Sequence, residues 1–84
     1  MVEELRDPSR RVAGVKQLLR ALAAGTVECA FVAADAEPAL VNRVLAAAKA
    51  ASVRAVRVDS MDALGRACRI GVGTAAAGLL RNNP

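Results

Sequence analysis

The stretch GVKQLLRALAAGTVECAFVA, residues 14–33, decides the fold class. Its first half sets Val15, Leu18, Leu19 and Leu22 at the i, i+3, i+4, i+7 spacing of an amphipathic helix. At about 100° per residue these four share one arc, while Lys16, Gln17 and Arg20 cluster on the opposite side. Gly14 precedes the helix and Gly25 is its natural stop. The second half, Val27 to Ala33, is short, rich in β-formers and almost continuously apolar. That pattern predicts a strand covered on both faces, and a helix feeding such a strand points to a layered α/β domain.

The alternation continues along the chain. Asp35, Ala36, Glu37 and Pro38 supply a turn and a helix start, with Pro38 where its missing N–H costs least. Leu40, Val41, Val44, Leu45 and Ala48 form the buried stripe of this second helix, and Asn42 and Lys49 face out. Val53 to Val58 reads as a strand with Arg57 exposed. Asp59 or Ser60 caps a short third helix in which Met61, Leu64 and Cys68 share a face. A glycine-containing loop over 69–74 leads into a last strand, Ala75 to Leu80, and a short strand near Arg11 to Ala13 can pair at an edge. The expectation is one domain over residues 1–84, with 1–9 and 81–84 frayed.

Composition removes several function classes. No apolar run approaches the ~18 residues of a membrane span, and the charged start Met1-Val2-Glu3-Glu4-Leu5-Arg6-Asp7 lacks the core of a signal peptide. A cytoplasmic protein with no membrane partner is expected. The chain has no His, Trp or Tyr, and Phe31 is its single aromatic residue. Histidine-dependent triads and His-ligated zinc sites are excluded, and base-stacking aromatic platforms are poorly matched. Cys29 and Cys68 have no C-x-x-C spacing and read as small buried apolar residues. No catalytic residue, metal or cofactor is expected.

The net charge of +4 is unevenly distributed. Residues 8–25 carry Arg10, Arg11, Lys16 and Arg20 without an acid, and residues 64–84 carry Arg66, Arg69 and Arg81 without one. A polyanion partner fits this pattern, as does a basic surface with no dedicated partner. Gly71-x-Gly73-x-x-Ala76 imitates a dinucleotide fingerprint but follows a helix instead of opening one, so loop glycines with positive φ are the preferred reading. Asp35 with Glu37, and Asp59 with Asp62, stand at helix starts, where carboxylates complement the dipole. Gly14, Lys16, Gln17 and Arg20 are different in kind. A helix N-terminus favours phosphate, Gln17 offers a donor and acceptor pair to a base edge, and arginine grips phosphate bidentately. An ordinary solvated helix face also explains their spacing.

These residues carry a family resemblance. Gly14 to Arg20, Val32 to Pro38, Ser60 to Cys68 and Ile70 to Ala77, in that order and spacing, resemble the kink-turn RNA-binding superfamily of archaeal and eukaryotic large-subunit ribosomal proteins, most of all its small bacterial branch of the YbxF type. The resemblance covers roughly Val12 to Leu80. It implies a three-layer α/β/α sandwich around a four-stranded mixed sheet, and a non-catalytic protein that recognises and stabilises kink-turn RNA. Gly14, Lys16, Gln17 and Arg20 would then meet the backbone and the guanines of sheared G·A pairs in a widened groove. Ile70, Gly71 and Val72 would lie against the nucleotide flipped out at the bend. Implied partners are ribosomal RNA or a messenger leader, and the ribosome itself, and a monomer is expected. Lys16-Gln17 matches the bacterial form where archaeal members have Asn-Glu. Val15, Arg69 and Gly71 replace a frequent Thr, Gly and Glu. A protein-interaction adaptor on the same fold is the alternative, and an RNA-modifying accessory domain is a remote third reading.

Overall fold

Seven elements of the predicted kinds appear in a computed structural model, which describes residues 2–81. They are β1 (Arg11–Ala13), α1 (Val15–Ala24), β2 (Val27–Ala33), α2 (Pro38–Ala50), β3 (Arg54–Val58), α3 (Met61–Cys68) and β4 (Ala76–Leu80). The four strands form one mixed sheet in the order β1-β4-β2-β3. β4 runs antiparallel to both β1 and β2, while β2 and β3 are parallel.

The helices lie on both faces of the sheet, giving the three-layer α/β/α sandwich. Leu18 and Leu22 of α1 and Val44 and Ala48 of α2 pack on Ala30, Val32 and Ala76. On the other face Leu64 and Cys68 of α3 pack on Cys29, Phe31, Ala77 and Leu79. β2 therefore buries both of its faces, which is why its sequence shows almost no polar interruption except the exposed Glu28. Strict alternation would put Val27 and Cys29 on one side, yet they join opposite clusters. The β2–β4 register shifts between these two residues, and such an irregularity turns a side chain to the other face.

The α1 stripe behaves as its spacing predicts: Leu18 and Leu22 are buried, Val15 and Leu19 half-buried, and Lys16, Gln17 and Arg20 exposed. In α2 the buried stripe is narrower than expected, with Leu40, Val41 and Leu45 only half-buried. Ser60 caps α3, its hydroxyl oxygen accepting the Ala63 N–H at 3.0 Å.

The expected fraying of residues 1–9 is not what the structure shows for residues 2–9. Val2–Arg6 and Pro8–Arg10 are short 3-10 helices, and Leu5 is fully buried in the cluster that holds Phe31, Leu64 and Cys68. Arg10 pins this segment to the sheet. Its guanidinium donates to Glu4 at 3.0 Å and to the Leu80 carbonyl at 3.2 Å, and lies 3.6 Å from Glu28. Asp7 caps the second turn by accepting from the Ser9 hydroxyl and N–H, which holds its carboxyl below the usual range. At the other terminus the Arg81 N–H donates to Thr26 at 2.7 Å, so the chain is held to that point. The rest of the expected C-terminal fraying, 82–84, lies outside the described residues.

Candidate nucleic-acid interface

Antiparallel pairing of β1 with β4 places Ala13 opposite Ala77. The end of β1, which leads into α1, therefore meets the start of β4, which receives the loop after α3. The Gly14 N–H completes the link by donating to Ala76 at 2.8 Å. The start of α1 and the end of the loop before β4, far apart in sequence, are thus brought to one end of the sheet.

Gly14 is the N-cap of α1, with φ 101° and ψ 148°, a region that side chains with a Cβ avoid. No side chain caps the helix, so the N–H groups of its first turn keep their capacity for an external acceptor. The Gln17 carboxamide folds back over Gly14: a Cβ there would stand 2.7 Å from Gln17 Oε1. Lys16, Gln17 and Arg20 are all exposed. Neither Lys16 nor Arg20 has a carboxylate within 4.0 Å among the described residues, whereas Arg10 is committed to acids at the opposite end of the sheet. The tip of α1 is a concentration of unneutralised positive charge and hydrogen-bond donors.

The second segment begins where α3 ends. Arg69 closes α3 in a left-handed conformation, φ 57° and ψ 39°, a C-cap geometry that favours glycine. Gly71 also has a positive φ, as expected of a loop glycine; Gly73 does not, and instead lies close to Met61 and Asp62. The predicted trio separates in burial. Ile70 packs partly against the core, Gly71 is exposed, and Val72 is 69% exposed, a large apolar side chain left in solvent. Beside Val72 a concavity of about 160 Å³ is bordered by Asp62 and Arg66. Sequence reading did not single out Arg66, although it lies in the second acid-free block.

Backbone bonds fix this loop in place. The Ile70 N–H donates to Gly65 at 3.2 Å and the Thr74 N–H to Met61 at 3.1 Å. Asp35, expected to serve its own helix start, instead reaches across to accept the Met61 N–H at 2.7 Å. The β2–α2 turn, the start of α3 and the loop before β4 are thereby tied together. The motif Gly71-x-Gly73-x-x-Ala76 enters a strand, so no helix N-terminus follows it to receive a pyrophosphate.

Other features do not compete as sites. A concavity of about 620 Å³ near Arg10 and Arg81 lies at the opposite end of the sheet, where Arg10 is already paired. Cys29 and Cys68 are buried, and burial pushes both thiols up. Among the described residues no group of three or more Cys, Asp or Glu side chains converges on a metal-sized space. Among those residues, too, no helix is long and apolar enough to cross a membrane.

Fold and surface define an α/β/α domain that presents a basic, uncapped helix tip beside an apolar loop. The sequence model of the ribosomal protein L7Ae/L30e/S12e/Gadd45 family matches residues 1–83, and the chain belongs to that family. It is 43% identical over 79 residues to an RNA-binding protein of Geobacillus sp. strain WCH70, covering 94% of this chain and 96% of the relative. The same figures hold for RNA-binding protein YbxF of Geobacillus stearothermophilus. Among solved structures, the Giardia lamblia 15.5kD RNA binding protein superposes with a TM-score of 0.87 at 29% identity, over 98% of this chain and 69% of that one.

Proposed function

We propose that the chain is a non-catalytic, cytoplasmic RNA-binding protein that recognises kink-turn RNA and stabilises its bent form. Ribosomal RNA or a messenger leader is the natural class of target, bound by the monomer, with ribosome association following in the first case. The observation that carries this reading is the basic, uncapped tip of α1, with Gly14, Lys16, Gln17 and Arg20, tied through the Gly14–Ala76 bond to the strand that the exposed Val72 loop enters. Similarity to proteins named for RNA binding supports it.

The chemistry follows from the parts. Regular RNA duplexes hide base edges in a narrow major groove, so a helix tip gains access only where an internal loop widens it. There the first-turn N–H groups, Lys16 and Arg20 take phosphates, while the Gln17 amide pairs with a base edge. Ile70, Gly71 and exposed Val72 offer an apolar rest for an unstacked base. A protein that binds only the bent form shifts the RNA equilibrium by its differential affinity.

Filter-binding titration against a kink-turn RNA and a regular duplex of matched length tests the proposal. Tighter binding of the bent RNA is expected. Equal affinity for both overturns specific readout and favours the adaptor alternative.

A further inference from the structure

α1 and α2, which together form one face of the sandwich, carry Lys16, Arg20, Arg43 and Lys49 and not one carboxylate. Where the two helices meet, Val15, Lys16 and Leu19 from α1 and Leu40 and Arg43 from α2 enclose a shallow dent of about 270 Å³. Its floor is apolar and two exposed cations stand at its rim. Neither Lys16 nor Arg43 has a carboxylate within 4.0 Å among the described residues. Lys16 and Gln17 point about 100° apart around α1. Gln17 turns back over Gly14, whereas Lys16 borders α2. Lys16 and Gln17 therefore leave the helix tip in different directions.

The geometry points to a second RNA contact on the α1–α2 seam: the sugar–phosphate backbone of the stem flanking the bend crosses it, with phosphates against Lys16 and Arg43 and ribose carbons against Leu19 and Leu40. This rests on the RNA-binding reading above and extends its footprint onto a helix that reading does not use. An acidic peptide matches the charges as well. Continuity with the α1 tip through Lys16 favours the RNA strand, because a backbone leaving the tip in that direction meets Arg43 next. The contact demands no unpaired base, since a duplex backbone already alternates phosphate with an apolar sugar edge.

The test uses the intact chain, Arg43→Ala and Leu40→Glu with two kink-turn RNAs, one with long flanking stems and one trimmed to the pairs beside the bend. On the long-stem RNA Arg43→Ala should bind roughly threefold to tenfold more weakly, with a salt slope lower by about one phosphate contact. Leu40→Glu should also weaken long-stem binding, and Arg43→Ala should match the unmodified chain on the trimmed RNA. Unchanged long-stem binding by Arg43→Ala, or an equal loss on both RNAs, overturns the seam contact. If the unmodified chain prefers kink-turn RNA while Arg43 proves neutral, only the seam contact fails. If it shows no such preference, the RNA-binding reading itself fails, and the seam with it.

Discussion

Gly65, on the buried side of α3, lies directly against the carbonyl group of Val72, and a Cβ at this glycine would collide with that backbone oxygen. The loop that exposes Val72 is therefore seated on the one residue of α3 that lacks a side chain. Alanine at an exposed helix position would gain about 1 kcal/mol in helix propensity. Here the collision is with backbone and must be relieved by moving the loop, so the sign reverses. Gly65→Ala should destabilise the fold by about 1–3 kcal/mol, the usual range for overpacking. Urea unfolding measures it, and an unchanged midpoint would show that the loop does not need this seat.

Gln17→Ala removes the amide without altering the charge of the α1 tip. The proposed function requires it to cost about 1–3 kcal/mol on kink-turn RNA and to erode the preference for sheared G·A pairs. Competition between RNAs with and without those pairs reads this out. A variant that keeps full preference would exclude Gln17 from base readout.

Arg20→Ala should behave differently. A phosphate contact carries no sequence information, so all RNAs should weaken together and the salt slope should fall by about one contact. The measurement is log affinity against log salt. A loss confined to one RNA would mean that Arg20 reads a base.

Leu5→Ala addresses the N-terminal segment. Leu5 is fully buried against α3 and the sheet, and truncating a buried leucine costs about 2–5 kcal/mol. Chemical denaturation should show a loss in that range. A loss near zero would mean that residues 2–10 are not held as described.

Much of the fold was legible because it is written in local periodicity. Val15, Leu18, Leu19 and Leu22 define α1 by spacing alone, and the apolar run Val27–Ala33 announces a strand buried on both faces. Leu5 was not legible, since a lone leucine among Glu3, Glu4, Arg6 and Asp7 has no period, and its burial comes from α3, some 60 positions on. Asp35 failed for a related reason: a carboxylate before a helix looks like a local cap, and only the tertiary arrangement shows it reaching Met61. The candidate site divides in the same way. The α1 tip is a local pattern and could be read directly, whereas its meeting with the Val72 loop depends on β1 pairing with β4. The dent shared by Lys16 and Arg43 depends on how two helices lie together, which no single periodicity encodes.

The thiols give a pH dependence with little interference. Burial raises the folded values of Cys29 and Cys68; Arg54 opposes the shift at Cys29, and Arg11 opposes it at Cys68. A folded value above the unfolded one means that the native state holds its proton longer. The stability contribution is then complete below the unfolded thiol value of about 8.5 and declines as pH rises through the higher folded values. The chain has no Tyr and no His, so the buried cysteines carry the pH dependence in the window from about 8.5 to 10. Urea midpoints should fall across that window, and the Cys29→Ala/Cys68→Ala double variant should lose most of the slope even though its baseline stability is lower. A decline of equal steepness in the double variant would show that the buried thiols are not its source. Alkylation by iodoacetamide at pH 8 should agree, labelling both thiols slowly in the native chain and rapidly in urea.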